Sequence, residues 1–284
     1  MKKNVSIFLL TVILLNLTAC TSNFKVNEDV VKDISDKITK NVINTVDKEK
    51  VEKKENQKLD ASKSDKLIIN SSVGEIKISS YDSSEALIDV SIAAKSKDKE
   101  KAKKLIDEYT YTVKTESDAI KINTTLSSDK SVGLDSLEVN LDIKVPDTVK
   151  QISVVNNVGD IQISNITGDL KISNNVGEIR FENAGGSCNV TSDVGEIILN
   201  KSILTGESKF NTNTGEISIS TSDISEAKKI FAEANVGDIN LELPESSDYK
   251  AEIHEFMEKE RTEVHGKGKT KINLTTHVGN IKFK

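Results

Sequence analysis

Six carboxylates each stand one residue after a glycine: Glu75, Asp160, Glu178, Glu196, Glu216 and Asp238. If those glycines stack in register, strands about 4.8 Å apart set the carboxylates in one column. A column of like charge could hold a cation, and paired carboxylates on a β-helix could cleave a polysaccharide. The simpler expectation is a row of solvated side chains that splay apart and keep the stack from aggregating edge to edge. The calcium-binding pattern Gly-Gly-x-Gly-x-Asp is absent, and aromatic residues, at 4%, leave this face no platform for a sugar ring. His254, His265 and His277 lack metal-ligand spacing and have no partner cysteine. There is no Gly-x-Ser-x-Gly, no phosphate loop and no dinucleotide fingerprint. No residue is therefore assigned as catalytic, cofactor-binding or metal-binding, no cofactor is expected, and the chain reads as a non-enzyme.

The carboxylates belong to a larger phrase, Val-Gly-Glu/Asp-Ile-x-Ile, that recurs seven times around Gly74, Gly159, Gly177, Gly195, Gly215, Gly237 and Gly279. From Gly159 onward the first four intervals are 18, 18, 20 and 22 residues. Such a period marks stacked units that cannot bury their apolar faces alone. Aligned on glycine, aliphatic columns stand five residues before it, one before (Val73, Val158, Val176, Val194, Thr214, Val236, Val278), two after and four after. Each unit reads as strand, tight turn and strand, with one face apolar and the other wet. The fixed spacing around glycine points to a left-handed backbone at the turn. Two residues before glycine stand Asn157, Asn175, Asp193, Asn213 and Asn235, whose side chains would hydrogen-bond along a stack. Column identity and near-constant spacing favour a parallel β-solenoid; a meander with each glycine turn as a hairpin is the alternative.

The rest of the chain supplies what such a stack needs. Lys2 and Lys3 precede the apolar stretch Ile7–Leu15, too short to span a bilayer and read as an export signal over 1–19. Residues 20–64 form a polar tether, partly helical or disordered, with a thin helical stripe at Val31, Ile34, Ile38, Val42 and Thr45. The domain then occupies 65–284, with a cap over 65–149 and repeats over 150–284. Residues 98–108 carry strong helix formers, and a second helix is considered at Ile224–Ala232. The fold class is thus all-β: a parallel β-solenoid, or β-helix, of Gly-turn repeats with an N-terminal antiparallel cap carrying one short helix.

Leu17-Thr18-Ala19-Cys20 resembles the lipobox of bacterial lipoproteins. That resemblance implies cleavage before Cys20, a diacylglycerol thioether on its sulfur with acyl chains of palmitate type, and a place at the extracytoplasmic face of the cell membrane. With Cys20 acylated, Cys188 alone remains and no intrachain disulfide can form; it stands in a column shared with Ile152, Leu170, Ile230 and Ile272, as a small buried hydrophobe. The net charge is −6, and −8 once Lys2 and Lys3 are lost. An acidic surface excludes nucleic acid as the natural partner, because phosphate binding needs clustered Lys and Arg.

The repeat columns, with Ile143-Lys144-Val145-Pro146, Leu241-Glu242-Leu243-Pro244 and the closing Gly279-Asn280-Ile281-Lys282-Phe283, resemble the bacterial putative-adhesin β-strand-repeat family. The likeness covers about 66–284 and implies a β-helical envelope domain of adhesin type, with no catalytic residues to carry over. The departures are a long insertion before the last copy and Asn280 in place of a carboxylate. The combined expectation is a lipid-anchored, non-catalytic surface protein whose repeat face binds a protein or an envelope polymer. The alternatives are an envelope-stress sensing component and, from the carboxylates, a glycan-active enzyme.

Overall fold

The computed structural model describes residues 49–125, 136–255 and 260–284. The export segment, Cys20, the helical stripe and the tether up to residue 48 lie outside these residues. Seven glycine phrases fold as one repeating unit. A strand of the first sheet runs into the glycine, and a short strand of the second sheet leaves two residues later. These pairs are β2 (Lys66–Val73) with β3 (Ile76–Tyr81), β8 (Gln151–Val158) with β9 (Ile161–Ser164), and β10 (Thr167–Val176) with β11 (Ile179–Glu182). They continue as β12 (Gly185–Val194) with β13 (Ile197–Ile203), β14 (Gly206–Thr214) with β15 (Ile217–Asp223), β16 (Ala227–Val236) with β17 (Ile239–Glu242), and β20 (Thr270–Val278) with β21 (Ile281–Phe283). Successive units pair in parallel in both sheets, Val176 facing Val158 and Val194, and Ile179 facing Ile161 and Ile197. Each unit is therefore one coil of a two-sheet solenoid, and the meander alternative falls.

The dry interior lies between the two sheets. Its first-sheet columns stand seven and five residues before glycine, its second-sheet columns two and four after. Leu67, Ile152, Leu170, Cys188, Ile230 and Ile272 form one of them and are buried. Phe181 and Phe210 fill the interior where neighbouring coils offer smaller residues. Burying one such aliphatic side chain contributes about 2 kcal/mol, and stacking repeats that gain along the axis. One column departs from expectation. Val158, Val176, Val194, Val236 and Val278, directly before glycine, are 44–58% exposed. The glycine corner turns the chain between the sheets there, so alternation breaks and the valines form an external ridge.

The N-terminal part differs from a simple cap over 65–149. β2 and β3 are a full coil, and a further coil, β6 (Ala119–Thr124) with β7 (Ser136–Pro146), stacks on its far side. The coil of Gly74 is thus inside the stack, between that of β6 and β7 and that of β8 and β9. The antiparallel cap lies beyond: β4 (Glu85–Ser96) on β7, β1 (Glu49–Asp60) on β4, and β5 (Thr112–Glu116) on β6. β1 falls inside the segment expected as tether. Its Lys- and Glu-rich sequence is that of a charged edge strand, with Val51 and Leu59 packed against the core. Helix α1 (Lys99–Glu108) buries Ala102 and Ile106, and the Asp98 carboxylate accepts from the Glu100 and Lys101 amides at its start. The second helix is not formed; residues from Ala227 to Val236 are strand β16, because Ile230, Ala232 and Ala234 are buried at strand spacing.

At the other end, the insertion before the last copy folds as β18 (Tyr249–Glu255), parallel to β20, and β19 (Arg261–His265), antiparallel to β18. It shields the open edge of the second sheet. The Arg261 guanidinium donates to the Ile281 carbonyl at 3.2 Å, and the Glu255 carboxylate accepts from the Ile281 amide.

Gly195 carries the stacking constraint. Its φ is +149°, and an added Cβ would lie 2.0 Å from the Gly177 carbonyl oxygen. Backbone strain and overlap each cost about 1–3 kcal/mol, so Gly195→Ala is expected to lower unfolding free energy by at least about 3 kcal/mol. Gly206, at φ +57° with nothing nearer than 3.8 Å, is the control: Gly206→Ala should cost only about 1–2 kcal/mol. Urea denaturation of both variants distinguishes them.

Candidate functional site

The glycine corner brings together the carboxylate, valine and amide columns singled out in the sequence. The glycine column has φ values from 130° to 153°, and from Gly159 onward each glycine is so close to the preceding one's carbonyl that no Cβ fits. This close approach puts the flanking columns side by side along the axis. Six carboxylates stand on one flank, the exposed valines in the middle, and the Asn column on the other.

The carboxylates divide by length. The short ones turn back to the chain: Asp160 Oδ1 accepts from the Glu178 amide at 2.8 Å, and Asp238 Oδ1 from the Asn280 amide at 2.8 Å. Asn140 does the same for the Glu75 amide at 2.6 Å, in the outer coil that lacks a glycine. Several longer ones reach outward to a partner on the second sheet. Glu178 pairs with Arg180 at 2.6 Å, Glu75 with Lys77 at 2.9 Å, and Glu216 accepts from Asn240 at 2.5 Å. Among the described residues no three His, Cys, Asp or Glu side chains come together as a metal site requires. Five of the six carboxylates, Glu75, Asp160, Glu178, Glu216 and Asp238, are thus satisfied locally.

The amide column bonds along the stack in part. Asn175 donates to Asn157 at 3.5 Å, Asn213 to Asp193 at 3.1 Å, and Asn235 to Asn213 at 3.0 Å, all exposed. Sequence reasoning missed the column beside it, three residues before glycine, which points inward and is polar: Ser71, Asn156, Asn174, Ser192, Thr212 and Thr276 are buried. Asn174 Nδ2 donates to the Gly159 carbonyl at 2.9 Å, Thr212 to Gly195 at 3.2 Å and Thr276 to Gly237 at 2.8 Å. These side chains satisfy glycine carbonyls that the corner turns away from the ladder. The available signal was alternation itself: counting back by twos from the aliphatic columns lands on them.

The remaining candidates stand apart. His277 is exposed in the amide column, His265 stacks on Tyr249 at 5.8 Å with Nδ1 against the Ser247 carbonyl, and His254 lies 3.6 Å from Glu260. Cys188 is 1% exposed. Burial pushes its thiol from an ordinary 9.0 up to about 12, a hydrogen bond with Ser208 offsetting only part of the rise. Among the described residues no helix is long and apolar enough to cross a membrane.

The profile of the family described as Toastrack DUF4097 matches residues 23–284. No curated protein matches the sequence. Among solved structures the chain is similar to a "putative cell adhesion protein" from Clostridium sporogenes, at 17% identity and TM-score 0.32, with 82% of this chain and 98% of that one covered. It is also similar to a "putative adhesin" from Bacteroides fragilis (15%, TM-score 0.46, 81% and 96% covered) and a "putative lipid binding protein" from Parabacteroides distasonis (13%, TM-score 0.34, 81% and 97% covered).

Two outcomes follow from the corner. Thr276→Val removes the hydroxyl that donates to the Gly237 carbonyl at 2.8 Å and should cost about 1–3 kcal/mol, whereas Asn175→Ala on the wet side should cost about 0.5 kcal/mol or less; thermal melts compare them. A thiol whose folded value is raised contributes stability that is full below pH 9.0 and lost progressively as pH climbs toward about 12. The urea midpoint should therefore fall between pH 9 and 10, below the tyrosines' ordinary range, and Cys188→Ala should flatten that fall.

Proposed function

The chain belongs to the Toastrack DUF4097 family over residues 23–284, and from that premise we propose that it is a non-catalytic, lipid-anchored surface protein. Its solenoid presents a long polar wall to a protein or an envelope polymer. The observation that carries this reading is the repetition of one surface at a fixed register. Successive corners offer the same carboxylate, valine and amide columns, and several of the carboxylates are tied to neighbouring backbone or cations. A catalytic centre needs a few groups converging at one place, whereas a wall of equivalent positions suits extended contact with a long partner. Attachment rests on Leu17-Thr18-Ala19-Cys20 after a short apolar segment. Two acyl chains on Cys20 hold a protein at a bilayer stably, at about 0.8 kcal/mol per buried methylene, and residues 21–48 give the wall reach from the membrane surface.

The anchor is tested by detergent phase separation of whole-cell extracts. The native chain should enter the detergent-rich phase, and Cys20→Ala should move it to the aqueous phase or leave it unprocessed. A Cys20→Ala chain that still partitions with detergent contradicts the anchor.

A further inference from the structure

We propose that the outer wall of the first sheet holds a binding site for an extended anionic glycan, centred on Lys171, Lys209, Lys229 and Phe231. The proposal rests on the reading of the solenoid as a binding wall and names its ligand class.

Two adjoining depressions of 350 and 440 Å3 meet at Ser187 and Asn189 on this wall. The short side chains Ser153, Ser187 and Asn189 leave the floor open, and lysines rise beside them. Register fixes the line: Lys171 faces Asn189, Asn189 faces Lys209, and Lys209 faces Phe231. At about 4.8 Å per coil these four positions span about 14 Å along the axis, so the groove runs across the coils.

Its charge sets it apart. The Lys209 ammonium lies 5.2 Å from the Phe231 ring centroid and the Lys229 ammonium 6.0 Å from the same centroid. Two like charges gathered at one ring repel, and an anion shared between them would relieve that repulsion. Asp169 and Glu207 line the same depressions, yet among the described residues neither forms an ion pair with Lys171, Lys209 or Lys229. Several other lysines of this sheet are neutralised within the chain: Lys66, at the rim of the first depression, by Asp118 and Lys121 by Glu116, each at 2.6 Å, and Lys250 by Glu252 at 2.8 Å. Register sets Glu207 opposite Lys229, so Lys171, Lys209 and Lys229 stand against the two carboxylates Asp169 and Glu207, and the groove keeps a positive excess on an acidic protein of net charge −6.

These features define the ligand chemically. The ammonium groups call for negative charge, the run across coils for an extended chain, and the hydroxyl and amide floor for hydrogen-bonding groups. The half-buried Phe231 ring calls for an apolar ring face. A sugar chain carrying carboxylates has all four. A neutral glycan leaves the ammoniums unmatched. Single-stranded nucleic acid would stack on several aromatic platforms, where this groove has one.

The test is calorimetric titration of the full chain in detergent micelles with a hexagalacturonate. Binding should weaken at least tenfold in Lys209→Glu/Lys229→Glu and about tenfold in Phe231→Leu, with melting temperatures unchanged. It should also weaken as salt rises. The proposal is overturned if the hexagalacturonate does not bind, or if the charge-reversed chain binds it equally well. Equal affinity for a neutral cellohexaose also overturns it, as does equal affinity for a linear polyphosphate that is indifferent to Phe231. A failure here leaves the anchor unaffected, since that depends on detergent partitioning and Cys20.

Discussion

Contact between one glycine's carbonyl oxygen and the next glycine's Cα sets the geometry of everything else in this domain. Gly159 on Gly74, Gly177 on Gly159, Gly195 on Gly177, Gly215 on Gly195, Gly237 on Gly215 and Gly279 on Gly237 are stacked without room for a methyl group. A methyl group there would push coils apart and break both sheets' hydrogen bonds at once. With the contact in place, Ile lies over Ile in the second sheet, and the interior closes along the axis. The polar columns are consequences of the same stacking. A corner that turns its glycine carbonyl inward needs a donor, and Asn174, Thr212 and Thr276 provide one. Where Asp follows glycine, as at Asp160 and Asp238, its short side chain caps the next coil's amide.

A solenoid has two open ends, and this chain protects each with polar or irregular structure. The N-terminal side is covered by β4, β1, β5 and α1, with β1 rich in Lys and Glu at the outermost edge. At the C-terminal side the β18–β19 hairpin adds to one sheet, while Arg261 and Glu255 occupy backbone groups of β21 on the other. Exposed parallel edges are templates for aggregation, and charge with side-chain capping removes the template. The long insertion before the last glycine phrase is thus structural.

The repeat, its parallel stacking and the inward Ile, Leu and Phe columns were legible because they depend on period alone. The valine column was misassigned because alternation assumes an unbroken strand, and the glycine corner breaks it between Val176 and Ile179. The buried Asn156 and Asn174 were overlooked because residue type suggested water where position suggested the interior. The place of the outermost coil could not be read. The coil of β6 and β7 has no glycine phrase, and only the pairing of β2 with β6 and β8 places it outside its predecessor. β1 gave no signal because an edge strand needs few apolar residues. The lysine groove was likewise invisible: Lys171, Lys209 and Lys229 are far apart in sequence and come together only through register.

The stacking claim is tested most directly by disulfide trapping between equivalent corner positions in a Cys20→Ala background. Val158 and Val176 face each other in adjacent coils and are 44% and 45% exposed; paired strands about 4.8 Å apart fall inside the range of about 4.4–6.8 Å between Cα atoms that a disulfide needs. Val158 and Val194 are two coils apart, at about 9.6 Å. Mild oxidation should close Val158→Cys/Val176→Cys nearly completely and leave Val158→Cys/Val194→Cys reduced. Closure of the second pair, or failure of the first in a folded chain, would contradict the stacked-corner architecture.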